Sequence, residues 1–231
     1  MHQRDAGSGV FGEAVERRGH RLREWIPAEG GDPDPDGFAG ALVFGGGMHV
    51  DQEAEHAWLR GEKAFLRELL ERGTPVLGVC LGSELLAEVA DAPPRRAEQP
   101  EIGWHVVELT EEAADDPLLR PLPRRFEAFQ WHSYEFPLPP AATALARSPL
   151  CLQAYRLAGA DAWGLQFHAE VTQGSVESWL RDYRKDDDAV RAGVDTDALR
   201  AETERRIAGW NELGRGICER FLAVVESRSS H

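Results

Sequence analysis

Residues 75–89 read PVLGVCLGSELLAEV. An apolar run ends in Cys80, Gly78 and Gly82 stand two residues to either side, and LGSELLAEVA follows with helical composition. A cysteine at such a strand-to-helix junction sits on a sharp turn, and small neighbours permit both the turn and close packing of helix on strand. The sulfur is then held at the carboxyl edge of a sheet. The helix start below it supplies unpaired N–H groups and the positive end of a dipole, which favour thiolate over thiol. Taken alone, G-x-C-x-G is also the pattern of a structural cysteine at a strand end.

The surrounding sequence alternates strand and helix. Segment 13–19, EAVERRG, reads as a helix stopped by glycine, 20–27, HRLREWIP, as a strand, and 29–37, EGGDPDPDG, as a turn-rich loop. Segment 40–47, GALVFGGG, gives a short strand running into glycines. Trp58, Phe65, Leu66, Leu69 and Leu70 recur at helical spacing before Gly73. Segment 74–79, TPVLGV, is the next strand. This order predicts an α/β fold, a doubly wound and mostly parallel sheet with helices on both faces.

The second half differs. Segments 103–109, 126–132, 142–148, 151–157 and 162–168 are short extended candidates without long helices between them, so antiparallel additions to the parallel core are expected. Beyond Ser175 the pattern is helical again. After the charged break RKDDD at 184–188, Ile207, Trp210, Leu213, Ile217, Phe221 and Val224 form a stripe that predicts a terminal helix packed on the core. We read a single domain over 1–231, with a core over 7–180 and a helical extension over 181–231. The segment MHQRD at 1–5 is too short and polar for the buried first strand that such a sheet requires, so that central strand is expected to be missing from the given start.

Composition narrows the function. Of 231 residues, 40 are Asp or Glu against 26 Lys or Arg, and the net charge of -14 repels nucleic-acid phosphates and anionic membranes. No nucleic-acid or membrane partner is expected. Cys80, Cys151 and Cys218 lack both metal-site spacing and a disulfide framework, so no metal is expected and a reducing, cytoplasmic setting fits.

A thiolate nucleophile needs a base, and the base an orienting acid. Segment 164–172, GLQFHAEVT, offers both: His168 and Glu170 are two residues apart and project to the same side of an extended chain. The glycines of FGGG, Gly45 to Gly47, follow a strand ending at the same sheet edge and can turn an N–H toward an oxyanion. A phosphate cradle is disfavoured, since no G-K-[ST] follows.

Together, PVLGVCLGSELLAE, GLQFHAEVT and LVFGGGMHV resemble the class I glutamine amidotransferase domain, whose patterns are G-x-C-x-G-x-Q, F-H-P-E and G-G-P. The resemblance runs over roughly residues 7–180, blocks in order. It implies Cys80 as nucleophile, His168 as acid and base, Glu170 as its orienting acid, and an oxyanion hole from the N–H groups of Gly46 and Leu81. Segment 129–139, FQWHSYEFPLP, is similar to the substrate-side segment and places Trp131, Ser133 and Tyr134 beside a small-molecule substrate, glutamine or a γ-glutamyl compound. The implied half-reaction requires no metal or organic cofactor.

Ala169 and Gly47 stand where the family has proline. Glu84 stands in place of a substrate-contacting glutamine, one helical turn beyond Cys80. A solvated acid there raises the Cys80 pKa and can pair with a substrate ammonium, so altered but retained activity is expected. Such domains work with a separate synthase partner or alone, as do γ-glutamyl peptidases, and no synthase motif is present here. A non-catalytic binding or regulatory module that kept the fold is the remaining alternative.

Overall fold

The computed structural model describes residues 1–2, 7–31 and 35–229. A seven-stranded sheet has the order β1-β2-β7-β6-β5-β3-β4. β1 (Ala41–Val43), β2 (Val76–Val79) and β7 (Ala162–Leu165) are parallel, whereas β6 (Leu152–Leu157), β5 (Ala142–Arg147), β3 (Arg95–Leu109) and β4 (Arg125–Glu135) continue it antiparallel. The sheet is therefore mixed, and the antiparallel part contributes the larger number of strands.

Helices cover both faces. α2 (Trp58–Glu71) and α3 (Leu81–Val89) bury Leu59, Leu66, Leu69 and Leu85 against Val76, Tyr155 and Ala162 on one face. α1 (Gly9–Arg17), α4 (Gln173–Asp182) and α5 (Thr196–Ser229) bury Val10, Phe11, Val176, Trp210 and Phe221 against Leu77, Val79 and Trp163 on the other. The alternation of Val76 with Leu77 and Val79 between the two cores is the period of two that a strand imposes. In the terminal stripe Ile207, Trp210, Ile217 and Phe221 are buried, while Leu213 and Val224 lie at its margin. Among the described residues, no helix is long and apolar enough to cross a membrane.

Two expectations change. Segment 20–27 is not a strand: residues 20–26 carry no regular structure and are largely exposed, and among the described residues β1 is the first strand of the sheet order. A strand exists only by pairing, and among the described residues this segment joins no ladder, while residues 20–25 and β1 border a common cavity of about 590 Å³. The first helix begins at Gly9 rather than near Glu13 because its N-terminus docks on the active segment: the Val10 N–H donates to Glu170 O at 2.9 Å. Residues 3–6, where the first strand was sought, and 32–34 of the turn-rich loop lie outside the described residues.

Candidate active site

Cys80 still belongs to the ladder through its N–H, which donates to Leu165 O at 2.8 Å. The chain then turns abruptly, with φ 51° and ψ -116° at Cys80, and α3 begins at the next residue. A non-glycine residue at positive φ costs about 1–3 kcal/mol and persists only where packing imposes it. Here the packing is explicit. A Cβ on Gly78 would stand 2.5 Å from Gly82 O, and one on Gly82 would stand 2.1 Å from Val43 O, so only glycine lets α3 press this closely on β1 and β2. The result is a sulfur raised at the edge where the parallel strands end.

His168 follows β7, its N–H bound to Phe129 O at 2.9 Å. Its Nδ1 lies 2.8 Å from Glu170 Oε1, and because a carboxylate only accepts, Nδ1 carries the proton and Nε2 is the nitrogen available to sulfur. Both side chains flank Gly45: a Cβ there would be 3.0 Å from His168 Cε1 and 3.8 Å from Cys80 Sγ. Burial opposes the imidazolium, but Glu170 and the Cys80 sulfur outweigh it and raise His168 to about 10. Burial likewise pushes the Cys80 thiol up, an effect that His168 opposes. A thiolate therefore forms only beside a charged His168.

The Cys80 side opens on a cavity of about 590 Å³ that Gly46, Leu81, Glu84, Trp131, Ser133, Tyr134 and His168 all border. Every site residue that the resemblance implies, except the enclosed Glu170, thus borders one space. Trp131 Nε1 donates to Asp186 Oδ2 at 2.8 Å, and the Tyr134 hydroxyl donates to Asp51 Oδ2 at 3.1 Å. The Tyr134 ring stacks on His49 at 4.2 Å, which fixes it in the cavity wall.

The expectation of a solvated Glu84 is not met. The residue is only 3% exposed, and its Oε1 accepts from Gln166 Nε2 at 3.2 Å. Burial raises its pKa, with Gln166, His132 and His168 acting in the other direction. Burial thus favours the protonated acid, which has nearly the shape of glutamine.

Several contributors left little trace in the sequence. The terminal helix grips the catalytic backbone: Trp210 Nε1 donates to His168 O at 2.8 Å, and Asn211 Nδ2 to Val171 O at 2.7 Å. The indole position was legible as a core stripe, but its hydrogen-bond partner was not. His2 places Nδ1 3.1 Å from Gly45 O and Nε2 2.8 Å from Glu62 Oε2, bracing the glycine loop. The charged break at 184–188 is part of the cavity wall, where Asp188 pairs with Arg96 at 2.5 Å and Arg191 at 3.0 Å. Its only signal was charge, which in a sequence reads as a solvated turn.

Residues 25–183 match the family model described as glutamine amidotransferase class-I. The glutamine amidotransferase-like protein YfeJ of Salmonella typhimurium is 27% identical over 78% of each chain. A GMP synthase [glutamine-hydrolyzing] component of Pyrococcus abyssi is 30% identical over 62% of this chain and 73% of its own. The crystal structure of a glutamine amidotransferase from Thermotoga maritima superposes with a TM-score of 0.85 at 28% identity, covering 96% of this chain and 95% of the other. With a tight bend carrying the cysteine, a buried His–Glu pair beside it and a family match over most of its length, this chain belongs to the class I glutamine amidotransferases.

Proposed function

We propose that this chain hydrolyses the side-chain amide of glutamine, or the amide of a γ-glutamyl compound, through a thioester at Cys80. The Cys80 thiolate attacks the amide carbon, and the N–H groups of Gly46 and Leu81 hold the oxygen as it becomes negative. His168, charged and oriented by Glu170, protonates the departing nitrogen, and ammonia or an amine leaves. Neutral His168 then takes a proton from water, whose oxygen attacks the thioester, releasing glutamate and returning the proton to the Cys80–His168 pair. Glu84, Trp131, Ser133 and Tyr134 shape the substrate side.

What supports this reading above all is the shared cavity: the strained Cys80 and the Glu170-bound His168 open on the same space. That space also favours γ-glutamyl substrates as a second reading. Glutamine alone is small beside a cavity of about 590 Å³ and leaves part of it open. An extended γ-glutamyl substituent would occupy the remainder. The synthase names of relatives such as the Pyrococcus abyssi protein suggest a separate synthase as the consumer of the ammonia, and action without a partner is the corresponding reading for γ-glutamyl hydrolysis.

Two assays test the proposal. A glutamine-analogue chloroketone is expected to label the wild-type chain once, at Cys80, and not to label Cys80→Ala; no labelling of wild type would leave a non-catalytic binding module. Ammonia release from glutamine, compared with cleavage of γ-glutamyl peptides, then separates the two substrates.

A further inference from the structure

A second cluster of chemistry-bearing side chains lies beyond the nucleophile. Glu101 and His132 are direct cross-strand partners in the β3–β4 ladder, just past its register shift, and the turn from Ser148 to Cys151 brings a thiol to the same place. Glu101 Oε2 is 3.2 Å from His132 Nε2 and 3.3 Å from Cys151 Sγ, and one donor atom from each of the three residues lies within 4.8 Å of the others.

The histidine shows what the cluster lacks. Its Nδ1 is 2.8 Å from Tyr134 O, a carbonyl that can only accept, so Nδ1 carries hydrogen and Nε2 is the nitrogen left to take a metal ion. Nε2 is buried and has no hydrogen-bond partner, being out of line with the carboxylate it approaches. His132 Nε2, a carboxylate oxygen and the sulfur whose S–H donates to that oxygen thus converge at a largely buried point, and a cation replacing the thiol hydrogen would engage all three.

The spacing suits one. In a tetrahedral zinc site, bond lengths imply about 3.3 Å between nitrogen and oxygen ligands and about 3.5 Å between sulfur and oxygen ligands. The observed separations of 3.2 and 3.3 Å need only small adjustments. The surroundings also resemble those of metal ligands, which are oriented by hydrogen bonds of their own. His132 is held by a backbone carbonyl, while Ser148 Oγ at 3.0 Å and Gln153 Nε2 at 2.8 Å hold Glu101 Oε2. A cavity of about 460 Å³, bordered by His132, Cys151, Arg95, Arg96 and Leu150, gives entry and room for a water ligand.

We propose that Glu101, His132 and Cys151 form a divalent-metal site of the zinc class, with three protein ligands and one water, separate from the Cys80 nucleophile. On binding, the Cys151 S–H bond breaks, its proton passes to solvent, and the sulfur electron pair forms the metal bond. The set of one thiolate, one imidazole and one carboxylate favours Zn²⁺ over the hard cations Mg²⁺ and Ca²⁺. Because His132 also borders the catalytic cavity, an occupied site stiffens the wall that carries Ser133 and Tyr134.

Cobalt(II) provides the probe, titrated without oxygen into the full chain carrying Cys80→Ala, which removes the competing thiol. The expected result is one equivalent bound, with near-ultraviolet sulfur-to-cobalt charge-transfer absorption and visible bands of tetrahedral intensity, all displaced by Zn²⁺. Adding Cys151→Ser abolishes the charge-transfer band, Glu101→Gln weakens binding at least tenfold, and Ser148→Ala weakens it about tenfold. Circular dichroism on each variant verifies the fold. No stoichiometric cobalt in folded Cys80→Ala, or a sulfur band that survives Cys151→Ser, overturns the proposal.

Discussion

Replacing Glu84 by glutamine exchanges a buried acid for its neutral isostere and tests whether burial keeps that acid protonated. In the unfolded chain Glu84 ionises near the ordinary value of 4.5, whereas burial raises it in the folded protein. The sign follows from proton linkage. Below pH 4.5 both states hold the proton and the substitution changes stability little. Above it the unfolded state gains by releasing the proton while the folded state does not, so wild type loses stability relative to Glu84→Gln until the pH passes the raised folded-state pKa. Within that window the gap widens by about 1.4 kcal/mol per pH unit. Urea unfolding followed by the fluorescence of the seven tryptophans reads it directly. With a urea dependence of about 2 kcal/mol/M, each pH unit separates the midpoints by about 0.7 M. Glu84→Gln is expected to be the more stable protein at neutral pH and to keep its hydrolytic activity. A gap that stays constant from pH 4 to pH 8, or wild type gaining on the variant as pH rises, would refute the reasoning: Glu84 would then be ionised in the folded state and balanced by a neighbour such as His168.

Glu170→Gln removes the charge that holds His168 at about 10, so the histidine titration followed by proton NMR should move to lower pH. A raised histidine pKa contributes stability that is complete below its ordinary value of 6.5 and is lost as pH rises through the folded value. The stability deficit of Glu170→Gln, measured by urea unfolding, is therefore expected to be largest below pH 6.5 and to close towards pH 10. Trp210→Phe deletes the indole bond to His168 O and should cost about 1–3 kcal/mol in unfolding free energy, with a drop in turnover as the catalytic segment loosens. Gly82→Ala places a methyl 2.1 Å from Val43 O and is expected to destabilise by at least about 3 kcal/mol, visible as a lowered urea midpoint or insoluble expression.

Much of the site was legible in short stretches of chain. The bend at Cys80 is encoded within residues 78–82, because the glycines that permit it are neighbours of the residue that makes it. The helix over Trp58–Glu71 follows from apolar residues three and four apart, and the approach of His168 to Glu170 from a spacing of two. Segment 20–27 has strand composition yet forms none, since a strand needs a partner and composition does not supply one. The burial of Glu84 was missed for a related reason: an acid on the first turn of a helix reads as solvated, and only the elements folded over it exclude the water. Trp210 bound to His168 O and the meeting of Glu101, His132 and Cys151 join residues far apart in the chain, and no local pattern announces either. Periodicity and turn chemistry act over a few residues and survive in the linear text. Strand pairing, burial and protonation depend on what lies across the core from each group, and that is set when the whole chain packs.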